Sequence, residues 1–271
     1  MIGNLGTNGD DDATGREVGR YMGVTMRETE ELHIVGTAPV SPHLLGPSGG
    51  IRTGALLTML DNVGGLNGGL AALPDGWVVS TNLAARVTAL VHKGPLRIDS
   101  RVLRRGRNNV VTDIQIRDVG DHDALVASGV LTSAILVPEN GPPEWSRPLV
   151  LSGPPESTGD LPRIPEWLGV RAAGADAVEI DLAAELRNPW GILHGGVVAT
   201  LVDLAAEHVT DGGWTSDVVL HFVAPNRVGP VRAYARVLGH RSDGAVLRVE
   251  VRDEGADRTT ALAVVTSAPS R

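Results

Sequence analysis

Asn188-Pro189-Trp190-Gly191-Ile192-Leu193-His194-Gly195-Gly196-Val197-Val198-Ala199-Thr200-Leu201-Val202-Asp203 carries the reading of the whole chain. A polar turn ending in His194-Gly195-Gly196 leads into an apolar run that meets no proline and no charge before Asp203. The pattern predicts a buried helix whose N-terminus stays open to a ligand. The unpaired N–H groups of a first helical turn, with the positive end of the macrodipole, suit a carbonyl oxygen that gains negative charge. Glycine at 195 and 196 lets a substrate approach the backbone closely. Asp203 lies two turns further on, too far to be the cap of its own helix, and a buried carboxylate there needs a reason.

The chain contains this pattern twice. Gly50-Ile51-Arg52-Thr53-Gly54-Ala55-Leu56-Leu57-Thr58-Met59-Leu60-Asp61 places Gly54 on Gly196, Thr58 on Thr200 and Asp61 on Asp203. Upstream, Tyr21-Met22-Gly23-Val24 mirrors Trp167-Leu168-Gly169-Val170. Downstream, Gly94-Pro95-Leu96-Arg97 mirrors Gly229-Pro230-Val231-Arg232, Arg101-Val102-Leu103 mirrors Arg236-Val237-Leu238, and Arg117-Asp118 mirrors Arg252-Asp253. Ordered matches over a whole half-chain indicate duplication, and two copies indicate a fused pair of domains rather than a solenoid.

An Asn six residues before His-Gly-Gly, with an Asp nine residues after the His, resembles the hotdog-fold acyl-CoA thioesterases of the phenylacetate-degradation type. Residues 165–268 resemble that family along their length, and residues 20–137 do so through the repeat. The resemblance implies an α+β fold in which each unit is a long helix wrapped by an antiparallel sheet. Two units pair side by side with active sites at the seam, so a tandem chain is an intramolecular pseudo-dimer. It also implies thioester hydrolysis of an acyl-CoA, no cofactor beyond the coenzyme A of the substrate, a cytoplasmic location and further assembly of chains into homo-oligomers.

By residue match, Gly195 N–H and the Asn188 side chain would polarise the thioester carbonyl, with His194 shaping the turn. The carboxylate, as general base or nucleophile, would cross the seam as Asp61. A hydroxyl at the start of the next strand, Ser80 or Thr81 in the first half and Thr215 or Ser216 in the second, would help hold water. The opposite site would combine Asp203 with Arg52, Thr53 and Gly54. There Arg52 stands for the His and Thr53 for the first Gly. The Asn position falls between Pro42 and Gly46, with His43 the one donor. One working site per chain is expected, the other being degenerate, with Arg52 free to hold a phosphate or carboxylate. Gly196, Leu57 and Val197, with Leu60 and Leu201, are candidates for the acyl pocket. Arg227 or Arg241, or Arg104, Arg105 and Arg107, are candidates for the coenzyme phosphates. The small residues of Asn62–Ala72 leave room for an acyl chain or let two helices pack closely.

Each residue has a plainer reading. His194 suits a helix cap, Asn188 before proline suits a turn, and Asp61 and Asp203 suit pairing with a buried Arg. Glu207-His208 reads as a solvated or linker-contacting helix end.

At 271 residues the chain suffices for two domains. The expected strands are Val78–Val91, Leu96–Arg104, Val110–Arg117 and Ala124–Leu136, then Asp217–Ala224, Val231–Leu238, Ala245–Val251 and Thr259–Ser267. Alternating stretches near Val24–Ala38 and Val170–Leu182 precede the helices. One helix followed by a run of strands argues for α+β. Residues 16–137 and 164–271 are the expected domains. Residues 138–163 hold seven prolines and read as a surface linker. Residues 1–15, polar and glycine-rich, read as a disordered tail without a signal peptide. No apolar run is long enough for a membrane span.

A net charge of −8 argues against a nucleic-acid partner. Without cysteine there is no disulfide or thiolate chemistry. The eight histidines are scattered and form no metal motif. Gly46-Pro47-Ser48-Gly49-Gly50 matches the nucleophile elbow of α/β-hydrolases in form only, because Ser41-Pro42-His43-Leu44-Leu45 is a poor strand and Pro47 sits inside the elbow. A hotdog hydratase would carry an acidic residue and a His in one short motif, which is absent. A non-catalytic acyl-CoA sensor or scaffold is the alternative, and it gives no reason to keep Asn188, Gly195 and Asp61 together.

Overall fold

The computed structural model describes residues 16–139, 141–142, 144, 147–151 and 161–269. The tail expected at 1–15 lies outside them, as does part of the linker. The first half runs α1 (Arg16–Tyr21), β1 (Thr25–Glu30), β2 (His33–Ala38), α2 (Thr53–Ala72), β3 (Trp77–Val87), β4 (Leu96–Arg105), β5 (Asn109–Asp118) and β6 (Ala124–Leu136). After β7 (Val150–Leu151), the second half runs α3 (Ile164–Trp167), β8 (Arg171–Ala172), β9 (Ala177–Ile180), α4 (Gly195–Val209), β10 (Trp214–Phe222), β11 (Val231–Arg241), β12 (Gly244–Asp253) and β13 (Arg258–Ala268).

The described strands form one sheet in the order β7-β1-β2-β4-β5-β6-β3-β10-β13-β12-β11-β9-β8. Apart from β7, the order reads alike from both ends about the β3–β10 junction, in step with the repeat in the sequence. Antiparallel pairing of Leu83 with Leu220 and Ala85 with Val218 stitches the halves together there. The repeat extends to irregularities. Leu103 and Leu238 are each the extra residue of a β-bulge, and both are exposed.

Three sequence expectations change. Val24–Ala38 is a hairpin rather than one stretch, turned at Leu32 with φ 58°, and Val170–Leu182 likewise holds two strands. The first strand after each helix starts and stops earlier than expected, at Trp77–Val87 and Trp214–Phe222, so Thr215, like Ser80, lies inside a strand. The linker is partly built in: Val150–Leu151 adds an edge strand to β1, Leu149 is 2% exposed, and Arg147 pairs with Glu28.

Helix α2 lies against β3–β6 and α4 against β9–β13, on the same face of the sheet. Both are apolar nearly all round, as a helix covered on every side must be. Five glycines in α2 would each cost about 1 kcal/mol against alanine in an isolated helix. Two are explained by close approach to the sheet: a Cβ on Gly64 would meet Ile114 at 2.8 Å, and one on Gly69 would meet Trp77 at 2.5 Å. Gly65 and Gly68 leave ordinary contact distances of 4.0 and 3.8 Å. Pro74 ends the helix because it cannot supply the next N–H.

The helices cross where the sequences repeat. A Cβ on Gly54 would lie 2.9 Å from Thr200 Cα, and one on Gly196 would lie 2.8 Å from Thr58 Cα. Thr58 Oγ1 donates to the Gly196 carbonyl and Thr200 Oγ1 to the Gly54 carbonyl, each at 2.8 Å. The two hydroxyls are themselves 2.8 Å apart. Glycine and threonine thus place the helix starts side by side, and each Asp reaches the other half. At the domain ends Tyr21 stacks on Trp167 with centroids 3.8 Å apart.

Candidate active site

Asp61, 4% exposed, lies two turns into α2. Ser80 donates its hydroxyl to Asp61 Oδ1 at 2.6 Å. The second oxygen, Oδ2, faces the start of α4. It is 3.4 Å from His194 Nδ1, and a Cβ on Gly195 would come within 2.8 Å of it. A side chain larger than hydrogen at 195 therefore cannot coexist with Asp61 in this place.

Ser80 is aimed by a β-bulge. Ser80 pairs with Ser133 and Asn82 with Thr132, leaving Thr81 as the extra residue. Thr81 does not reach Asp61: its hydroxyl donates to the Thr132 carbonyl at 2.9 Å. The same bulge recurs in β10, where Thr215 pairs with Ser267 and Asp217 with Thr266. Thr215 is thus the counterpart of Ser80, and Ser216 that of Thr81.

His194 is the N-cap of α4, and its Nδ1 accepts from Gly196 N–H at 3.0 Å. Burial pushes its pKa below the ordinary 6.5, while the nearby Asp61 charge opposes this. A neutral ring that accepts at Nδ1 carries its proton on Nε2. The Nδ1–Oδ2 approach is therefore a contact between two acceptors, not a hydrogen bond. Gly195 N–H, the first of the helix, has no intramolecular partner among the described residues.

Asn188 opens a tight turn closed by Gly191 N–H on the Asn188 carbonyl at 2.8 Å, with Gly191 at φ 70°. Asn188 Oδ1 accepts from Trp190 N–H at 3.0 Å and Ile192 N–H at 3.4 Å, leaving Nδ2 without a partner among the described residues. Two neighbours escape a sequence reading. Trp190 donates Nε1–H to the Val78 carbonyl at 2.9 Å, tying the turn to the other half. Asn226, 4% exposed, accepts from Leu193 N–H at 3.2 Å through its backbone carbonyl, and its Oδ1 is buried without a partner among the described residues. Only the repeat could have found them: Trp190 aligns with Ser48 and Asn226 with Val91.

The opposite half-site is built differently. The bridges Leu45–Ile51 and Arg187–Leu193 superpose the two turns, so Asn188 corresponds to Gly46, not to a residue nearer His43. His43 Nε2 is instead 2.9 Å from the Tyr21 carbonyl. Arg52 cannot cap α2, and Gly54 N–H donates to Asp203 Oδ2 at 2.8 Å. Thr53 Oγ1 is turned to the Thr215 carbonyl at 2.8 Å. Arg52 is not wholly free for a ligand as expected: buried itself, it pairs with the half-buried Glu207, while its Nε has no hydrogen-bond partner among the described residues. Glu207 is correspondingly no solvated helix end, whereas His208 Nε2 lies 3.1 Å from the Gly174 carbonyl. Burial pushes the Asp203 pKa up, opposed by Arg52 and the Gly54 N–H. The Thr215 hydroxyl also lies near enough to favour the charge, though without hydrogen-bond geometry. Burial likewise raises Glu207, opposed by Arg52 and reinforced by Asp203. A small pocket remains here, between Ser48, Gly213, Arg52 and Glu207, where the first half-site has Trp190 against Val78.

The expected pocket residues mostly serve packing. Gly196 does not admit a substrate to the backbone, because Thr58 occupies that space. Leu57 and Val197 are each 1% exposed, within the core. The Arg227 side chain is exposed, its N–H donating to Asp253 at 2.7 Å. Arg105 and Arg241 are held by Asp75 and Asp243.

No family model matches the chain, and no curated protein does. Solved structures do. A putative oleoyl thioesterase from Lactobacillus plantarum matches at TM-score 0.63 and 11% identity, over 89% of this chain and 98% of that one. A tesB protein from Mycobacterium avium subs paratuberculosis matches at TM-score 0.61 and 11% identity, over 90% and 96%. A putative thioesterase II from Thermobifida fusca matches at TM-score 0.58 and 18% identity, over 94% and 97%. The chain shares the fold of these thioesterases along nearly its whole length.

Proposed function

We propose that this chain is an acyl-CoA thioesterase, a tandem hotdog protein whose two halves form an intramolecular pseudo-dimer with one working site at the seam. The boundaries of the halves, 16–137 and 164–271, follow the repeat. The observation that carries the assignment is the different capping of the two central helices. His194 takes the Gly196 N–H, so Asp61 is left with Ser80 as its one hydrogen-bond partner among the described residues. Asp203 is spent on the equivalent Gly54 N–H.

In the working site the thioester carbonyl sits against Gly195 N–H and Asn188 Nδ2, two donors without a partner among the described residues. The acyl carbon then faces Asp61 Oδ2. Ser80 holds Oδ1, which fixes the carboxylate and leaves Oδ2 to take a proton from water as the water oxygen attacks the carbon. The tetrahedral oxyanion is held by the same two donors, each worth about 3 kcal/mol in comparable sites. Collapse breaks the C–S bond, and the proton on Asp61 passes to the departing thiolate.

The fold shared with thioesterases supports this reading, and so does the convergence of residues distant in sequence. The test is thiol release from short, medium, long and aryl acyl-CoAs. Turnover of at least one class is expected. Tight binding of an acyl-CoA without turnover of any would replace the enzyme by a sensor or scaffold.

A further inference from the structure

The pocket left in the half-site around Asp203 is lined by a cation that is only partly used. Arg52 is 7% exposed, and Glu207 takes its Nη1. Nε is buried without a hydrogen-bond partner, and Nη2 likewise has none among the described residues. Nε–H and Nη2–H project side by side, the guanidinium edge that matches the two oxygens of a carboxylate. A buried donor left unpaired costs about 1–3 kcal/mol until a partner arrives.

Thr53 lines the same pocket, and its N–H, the first of α2, has no partner among the described residues either. It adds the positive end of a long helix to the Arg52 charge. Pro47, Leu90 and Trp214 supply apolar wall. The pocket exists where the repeat is broken: Ser48 stands in the place of Trp190, whose ring fills the other half-site, and Gly213 in the place of Val78.

We infer that this pocket binds a small monocarboxylate, held on the Nε–Nη2 edge of Arg52 with Thr53 N–H beside it. The space is about 10 Å³, room for one oxygen atom. The oxygen on Nε fills it, and the oxygen on Nη2 and the carbon end lie towards the mouth, against Pro47, Leu90 and Trp214. The ionisable groups around Arg52 are Asp203 and Glu207 on α4 and Tyr21 at the end of α1. Burial raises the pKa of each, so the ligand's charge is met by Arg52 and by a proton on one of the two carboxyls. A phosphate, tetrahedral and more highly charged, suits the site less. The acyl carboxylate released by the hydrolysis proposed for the other half-site belongs to the same chemical class, but binding here does not depend on that reaction.

Isothermal titration of the full chain with butyrate, benzoate and inorganic phosphate tests this without any turnover, on wild type, Arg52→Leu, Ser48→Trp and Glu207→Gln. At least one carboxylate is expected to bind wild type with a Kd of about 1 mM, and phosphate about tenfold more weakly or not at all. Arg52→Leu should abolish binding. So should Ser48→Trp, which fills the pocket and leaves Arg52 in place. Glu207→Gln, which removes the competing charge and can still accept from Nη1, should tighten binding about tenfold. Four results would overturn the proposal. They are no binding of either carboxylate to wild type at about 20 mM, binding unaffected by Ser48→Trp, phosphate bound as tightly as carboxylate, and Glu207→Gln no tighter than wild type.

Discussion

Asp61 Oδ2 and His194 Nδ1, from opposite halves of the chain, lie 3.4 Å apart as two acceptors, because the imidazole nitrogen is already occupied by Gly196 N–H. The His is thus what separates the two half-sites. Where Arg52 replaces it, the carboxylate from the other half moves in as the helix cap. His194→Ala should accordingly free Gly196 N–H to capture Asp61 and reproduce the Arg52 arrangement. The expected result is a fall in kcat of about tenfold or more, with about 1 kcal/mol lost from stability. His194→Asn, which can still cap, should retain more of both in parallel kinetics and denaturant melts.

Two adjacent glycines separate chemistry from packing. Gly195→Ala puts a methyl 2.8 Å from the end of the Asp61 side chain, which can turn away. Activity should be lost with little change in melting temperature. Gly196→Ala puts a methyl 2.8 Å from Thr58 Cα, part of a helix backbone that cannot turn away. It should cost about 1–3 kcal/mol of stability by overpacking. Comparing kcat with melting temperature for the two variants checks the assignment.

The degenerate half-site should appear in the pH dependence of folding. Burial raises the Asp203 pKa above its ordinary 3.8, so between those two values the native state holds a proton that the unfolded chain has released. That contribution is complete below the unfolded value and is lost as pH rises through the folded one. Glu207, also raised by burial, acts in the same direction. Asp203→Asn, which cannot ionise and can still accept from Gly54 N–H, should flatten the decline. Its stability relative to wild type should improve as pH rises, measured by denaturant unfolding across the acid to neutral range.

Trp190 ties the Asn188 turn to the opposite half through one hydrogen bond to the Val78 carbonyl. Trp190→Phe keeps most of the apolar surface and removes that bond, at an expected cost of about 1 kcal/mol. If the turn presents Asn188 to the substrate, kcat/KM should fall by more than this loss of stability explains, in kinetics run beside denaturant melts.

The helices, most strands and the reach of each Asp to the other half were legible because the sequence repeats the residues that permit them. Gly54 and Gly196, with Thr58 and Thr200, are small where the helices cross, and this size requirement appears in both copies. Ser80 was legible only as one of two hydroxyls, since the bulge that turns Thr81 away depends on cross-strand register. Glu207 was misjudged because its partner, Arg52, lies in the other half of the chain. The counterpart of Asn188 was placed too early, although Gly46-Pro47 against Asn188-Pro189 and Gly49 against Gly191 carried the correct alignment.

Thiol release by Asp61→Asn beside Asp203→Asn, on the acyl-CoA that wild type turns over best, tests the single cross-seam site most directly. Asp61→Asn should lose about a hundredfold or more in kcat, while Asp203→Asn keeps most of the wild-type rate. Activity retained by Asp61→Asn, or lost only with Asp203→Asn, would contradict the account.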